Sequence, residues 1–183
     1  MFGLKNLFGS GKAAEKTVVA TAKRQAPAQV TEFLQREAVF DRKNRLTGHL
    51  FFLQDQSPLA NVSTLQQRML DGNLLAALLS CPDAWTTQRA FIPISSASLW
   101  HATIDRLPAN NLIFMVLLAK ESADSDQLQT RLKDLRSKGY GIGIMRDPQH
   151  PCFGVAMQEA NFAGINISST EASSVRDFSA AVR

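Results

Sequence analysis

Apolar positions in the middle of the chain come in two kinds of run. Leu112-Ile113-Phe114-Met115-Val116-Leu117-Leu118 is continuous and uncharged, as suits a strand buried on both faces. Behind it Leu128, Leu132 and Leu135 recur at helical spacing, after capping residues at Ser122 to Ser125 and before Gly139. That spacing puts the leucines on one helix face. Arg131, Lys133, Arg136 and Lys138 suit the negative end of the helix dipole, and the glycine suits the stop. Tyr140-Gly-Ile142-Gly-Ile144-Met145 is then a second strand. Strand, helix and strand of these lengths predict a right-handed parallel crossover.

The flanking sequence extends the pattern. Runs at 33–40 and 46–53 enclose the polar turn Asp41 to Arg45 and predict a β-hairpin. Ser63 stands where it would cap a helix through Leu78, with Leu65, Met69, Leu74 and Leu78 as the apolar face. Residues 89–99 read as a strand running into a helix start capped by Ser95, and 160–167 as the last strand. Ser169 then caps a helix over 170–182.

Composition adds an asymmetry. The chain has 183 residues and is 45% apolar, so one domain with an appendage is expected. Residues 1–24 carry five basic groups and one acid, while the remainder balances 15 against 15. The body therefore gives no electrostatic case for nucleic acid. Residues 1–29 read as a basic tail and linker, and 30–183 as the folded domain. Phe2, Leu4, Leu7 and Phe8 leave a membrane-surface contact open for the tail. Gly9-Ser-Gly11-Lys12 is not a phosphate loop, because Asn6 and Ala13 break the motif. Cys81 and Cys152 lack metal-ligand spacing and read as small buried hydrophobes of a reducing cytoplasm. No apolar run approaches the ~18 residues of a membrane span, and no secretory leader is recognisable.

Several segments, in order, resemble the EAL domains of bacterial signalling proteins. Arg36-Glu-Ala-Val-Phe-Asp, a basic turn and Gly48-His-Leu-Phe-Phe are similar to that family's Arg-Gln-Pro-Ile-Phe-Asp and Gly-Tyr-Glu-Leu-Leu. Ala90-Phe-Ile-Pro-Ile-Ser, Asn111-Leu-Ile-Phe-Met-Val, Leu135-Arg-Ser-Lys-Gly-Tyr-Gly-Ile-Gly-Ile-Met-Arg and Ala160-Asn-Phe-Ala-Gly-Ile-Asn follow with the same likeness. The resemblance is strongest to divergent EAL domains that precede HDOD domains. It implies an α/β fold: a partial EAL-type (β/α) barrel of about five strands with an N-terminal β-hairpin, behind a flexible basic tail.

EAL phosphodiesterases hydrolyse cyclic di-GMP with metal ions held by carboxylates at strand ends. Carried onto this chain, the signature glutamate falls on Leu50 and the following arginine on Gln54. The next strands' asparagine and glutamate fall on Pro93 and Met115. The aspartate pair falls on Met145 and Arg146, and the last strand's aspartate, lysine and aspartate on Asn161, Gly164 and Asn166. Divalent metals need several oxygen ligands. The resemblance thus implies a degenerate site with no catalytic residue, metal or cofactor.

Other chemistry is thin. His49, His101 and His150 are isolated, Ser95-Ser96 and Cys152 have no neighbouring base, and Lys43 and Arg45 read as a solvated turn as readily as a phosphate contact. Trp85 and Trp100 read as packing rather than base stacking. The expectation is a catalytically inactive, cytoplasmic protein-interaction module, a homodimer or bound to another chain. Phe91, Ile92, Phe114, Met115, Ile144, Met145 and Phe162 would form its apolar contact surface. A non-hydrolysing cyclic di-GMP receptor is the alternative. Cyclic di-GMP is nevertheless not expected as a partner, because Gln54 and Gly164 remove two cations.

Overall fold

The computed structural model describes residues 34–41, 43–54, 63–120, 124–166 and 170–181. The tail, Phe33, Ser122, Ile167 and Ser169 lie outside them. Six strands form one sheet in sequence order: β1 (Leu34–Phe40), β2 (Leu46–Leu53), β3 (Arg89–Ser95), β4 (Leu112–Leu117), β5 (Gly141–Met145) and β6 (Phe162–Gly164). β1 is antiparallel to β2, and all later pairs are parallel. The count exceeds the expected five by the hairpin's first strand. Helices α1 (Thr64–Ser80), α2 (Ser125–Ser137), α3 (Phe153–Gln158) and α4 (Ala172–Ala181) follow β2, β4, β5 and β6. Between β3 and β4 stand only short 3-10 turns, at Ser96–Ser98 and Ile104–Arg106.

The hairpin turn is held by one carboxylate. Asp41 Oδ1 accepts the backbone N–H groups of Lys43 and Arg45 at 2.7 and 2.9 Å, and Oδ2 pairs with the Arg45 guanidinium at 2.7 Å. Those bonds, the Arg45 backbone first, hold Asp41 below the usual carboxylate range. Arg45 is thereby committed to the turn rather than free for phosphate.

Side chains alternate across the sheet. Ala90, Ile92 and Ile94 of β3, Leu112, Phe114 and Val116 of β4, and Ile142 and Ile144 of β5 join the helix-side core. Leu128, Leu132 and Leu135 of α2 meet them, all with no exposed surface. Asp124 caps α2, accepting from Asp126 N at 3.1 Å, and Gly139 ends it at φ +94°. Tyr140 stacks near Phe114 with ring centroids 5.3 Å apart. Its hydroxyl lies 2.7 Å from the carbonyls of both Ile104 and Leu107.

α1 departs from its expected face. Ser63 caps it with a reciprocal box to Gln66, but the buried residues are Asp71, Leu74, Leu75 and Leu78. Leu65 and Met69 stand 70% and 63% exposed. Asp71 sits inside because its carboxylate accepts the Ser95 backbone N–H at 3.0 Å and the Gln67 amide at 2.8 Å. Cys81 is exposed, just beyond α1's last turn, whereas Cys152 is buried as expected. Trp85 is buried and Trp100 is 46% exposed. No helix among the described residues is long and apolar enough to cross a membrane.

Candidate functional site

The sheet's other face carries the positions that the resemblance singled out. Leu50 alternates with the core residues Phe51 and Leu53, and Phe91, Pro93, Met115 and Met145 alternate likewise on their strands. Strand register lines them up. Leu50 pairs with Phe91, and Phe91 with Ile113. Pro93 pairs with Met115, Met115 with Gly143 and Gly143 with Phe162, while Met145 pairs with Gly164. Pro93 lacks an N–H, and it stands just past the last β2–β3 pair, where no donor to β2 is needed.

This face is concave and apolar. Phe91 and Phe162 touch across it, and a cleft of about 390 Å3 opens between Leu50, Phe91, Met115 and Phe162, with Arg89, Asp41 and Thr47 at its border. Met115 and Met145 lie flat over the strand beside them. A Cβ built on Gly143 would overlap Met115 Sδ, and one on Gly164 would overlap Met145 Sδ. The glycines therefore leave the space that the two thioethers fill. Leu50, Met115, Met145 and Phe162 are half-buried.

The remaining sequence-identified positions do not join them as polar ligands. Gln54 is exposed after β2. The Arg146 backbone N–H donates to Gly164 O at 2.7 Å, and its guanidinium lies over the Phe178 ring of α4, 5.8 Å from the centroid. Asn161 is spent on the β5–β6 start: its N–H donates to Ile142 O and its Oδ1 accepts from Ile142 N. Asn166 is half-buried beyond β6. Phe114, Ile92 and Ile144, expected on the contact surface, point the other way and are wholly buried in the helix-side core. A continuous apolar run hides which residues face which side.

Metal ligation does not fit these residues. Among the described residues no group of three or more His, Cys, Asp or Glu is placed to hold a metal ion. Asp41, the carboxylate at the cleft border, is occupied by Arg45 and Lys43. Asp147 is exposed beyond Arg146. What the face offers is apolar contact with polar groups only at its rim.

No family model and no curated protein matches the chain. Solved structures do. The PaMucR phosphodiesterase in complex with cyclic di-GMP matches at 16% identity and a TM-score of 0.52, over 81% of this chain and 74% of that one. A standalone EAL protein from Vibrio cholerae O395, in its cyclic di-GMP-bound form, matches at 12% and 0.51, over 81% and 73%. BlrP1 of Klebsiella pneumoniae, as a manganese/cyclic di-GMP complex, matches at 18% and 0.54; the match covers 84% of this chain but only 43% of BlrP1. The fold is EAL-like. These neighbours also overturn one expectation. Each was solved with cyclic di-GMP bound, so the dinucleotide cannot be set aside as a partner on two missing cations. Bases bind to apolar and aromatic surfaces as well as to charge.

Proposed function

We propose that this chain is a degenerate EAL-like signalling module, of the divergent kind that precedes HDOD domains. In this reading it does not hydrolyse cyclic di-GMP and works by protein contact through its concave face, as a homodimer or with another chain. One observation carries the reading: Leu50, Pro93, Met115 and Met145 share a face at positions where metal-dependent hydrolysis would need oxygen donors. A patch of half-buried apolar side chains on an exposed face suits a partner surface, and methionines suit an adaptable one.

The cyclic di-GMP complexes among the neighbours favour a second reading, recognition of the dinucleotide without hydrolysis. The cleft bordered by Leu50, Phe91, Met115 and Phe162 would take a base, with Arg89 at its border for phosphate. One experiment separates the readings. The purified chain is titrated with cyclic di-GMP in a calorimeter, with and without magnesium or manganese, and the mixture is then resolved for linear product. No product is expected. Metal-dependent turnover would overturn the first reading, and saturable heat without turnover would establish the second. Light scattering at micromolar concentration that gives only a monomer, both alone and beside candidate partners, would remove protein contact.

A further inference from the structure

The cleft on the concave face is polar at one end and apolar at the other. Arg89 is the first residue of β3, and Asp41 and Thr47 flank the hairpin turn, so the polar border lies at the N-terminal end of the parallel strands. Leu50, Phe91, Met115 and Phe162 make the apolar floor. The Arg89 side chain leaves β3 on this face. It has the strand parity of Phe91, and a Cβ built on its register partner Gly48 would stand 2.8 Å from Arg89 Cβ. Pro93 lies four residues beyond Arg89 on β3, about 13 Å along the strand, and outside the cleft. The cleft thus shares Leu50 and Met115 with the positions that the resemblance assigns to metal ligands, but its charged border is at the opposite end of the strands.

The two charged residues of that border are not equivalent. Asp41 is held by the Arg45 guanidinium and by the backbone N–H groups of Lys43 and Arg45. Arg89 takes part in none of the ion pairs among the described residues. Glu37 shares the face through its pairing with Leu50 but does not line the cleft. A guanidinium without an anion, at the mouth of an apolar cleft, selects an anionic head. The floor behind it selects a hydrocarbon body. A volume of about 390 Å3 suits a small ligand, and the flexible Met115 thioether lets the floor follow a flexible chain. We propose that this cleft binds a medium-chain alkanoate, its carboxylate on Arg89 and its chain across Leu50, Phe91, Met115 and Phe162. The inference rests on the reading of the concave face as a non-catalytic contact surface and names a ligand for it.

The test is calorimetric titration of the full chain with decanoate below its micellar concentration, beside hexanoate, decan-1-ol and decyltrimethylammonium. Saturable binding of decanoate is expected, about tenfold tighter than hexanoate; the added methylenes fall short of their full transfer value because Leu50, Met115 and Phe162 are only half-buried. Decan-1-ol should bind about fivefold more weakly than decanoate, and the cationic amphiphile more weakly still. Arg89→Gln should erase the preference for decanoate over decan-1-ol. Arg89 is exposed, so circular dichroism should show the variant folded, and the ranking of the three heads on the parent chain decides the matter without it. Arg36→Gln removes an equal charge at a residue paired with the core residue Phe51, and should leave the ranking unchanged. Equal binding of the three ten-carbon probes, or a preference that survives Arg89→Gln, would show an unselective apolar surface and overturn the proposal. The assay for linear product from cyclic di-GMP is run on the same sample. Metal-dependent turnover would overturn the non-catalytic reading and this proposal with it, whereas no turnover and no decanoate binding would overturn the ligand alone.

Discussion

The ring of Phe91 on β3 meets that of Phe162 on β6 edge to face, centroids 5.7 Å apart at 84°, although β4 and β5 lie between their strands. The contact spans the hollow of the sheet and ties its shortest strand, a three-residue edge, to its middle. Phe162→Ala should therefore cost about 2 kcal/mol, below the range for a fully buried phenylalanine because the ring is half-exposed. Urea unfolding would measure it. A loss no larger than that of a surface substitution would mean that the sheet holds its curve without this pair.

Asp71 gives the fold a pH dependence of unusual sign. Burial, its largest influence, raises its pKa above 3.8, against the lowering effect of the Ser98 hydroxyl, the Ser95 backbone N–H, the Gln67 amide and His101. A carboxyl that titrates higher in the folded chain lends full stability below its unfolded pKa, and that stability is lost as pH rises through the folded value. Asp71→Asn keeps an acceptor for Ser95 and removes the titration. Its stability relative to the parent should rise as pH increases above about 4. Asp41, Asp105 and Asp134 are shifted downward and act in the opposite direction, but they are common to both proteins and cancel in the difference. A difference independent of pH would show that Asp71 stays charged at no cost.

Tyr140→Phe keeps the ring against Phe114 and leaves the carbonyls of Ile104 and Leu107 without their hydroxyl donor. The expected loss is about 1–2 kcal/mol, read as a lower urea midpoint at unchanged slope. An unchanged midpoint would mean that water replaces the hydroxyl there.

Met115→Glu places a carboxylate on the concave face with no metal-ligand set beside it among the described residues and with Arg89 only at the cleft border. It should destabilise the fold by roughly 2 kcal/mol at neutral pH. Part of that loss should return on acidification, because a desolvated glutamate titrates upward. Equal stability at neutral pH would show the face to be wetter than its lining indicates.

Much of this fold is legible in the residues. Leu128, Leu132 and Leu135 sit at one spacing for one reason, and they are buried as that spacing demands. The α1 face was not legible, because burial of Asp71 is decided by a backbone N–H at Ser95, 24 residues away. Periodicity has no means of registering such a partner. Nor could it separate Met115 from Phe114, since a strand covered on one side and curled on the other is apolar at every position.

Met115 and Met145 fill the space above Gly143 and Gly164, and this bears on what the surface can become by mutation. A metal centre would need several carboxylates at once, and the first to arrive would meet apolar walls instead of a partner. It would also vacate a thioether that the neighbouring glycine cannot replace, leaving a void beside a buried charge. Each early step toward such a centre is thus selected against before any benefit exists. New capacities on this face are more accessible as changes of shape, through exchange among Met, Leu and Phe, than as changes of chemistry.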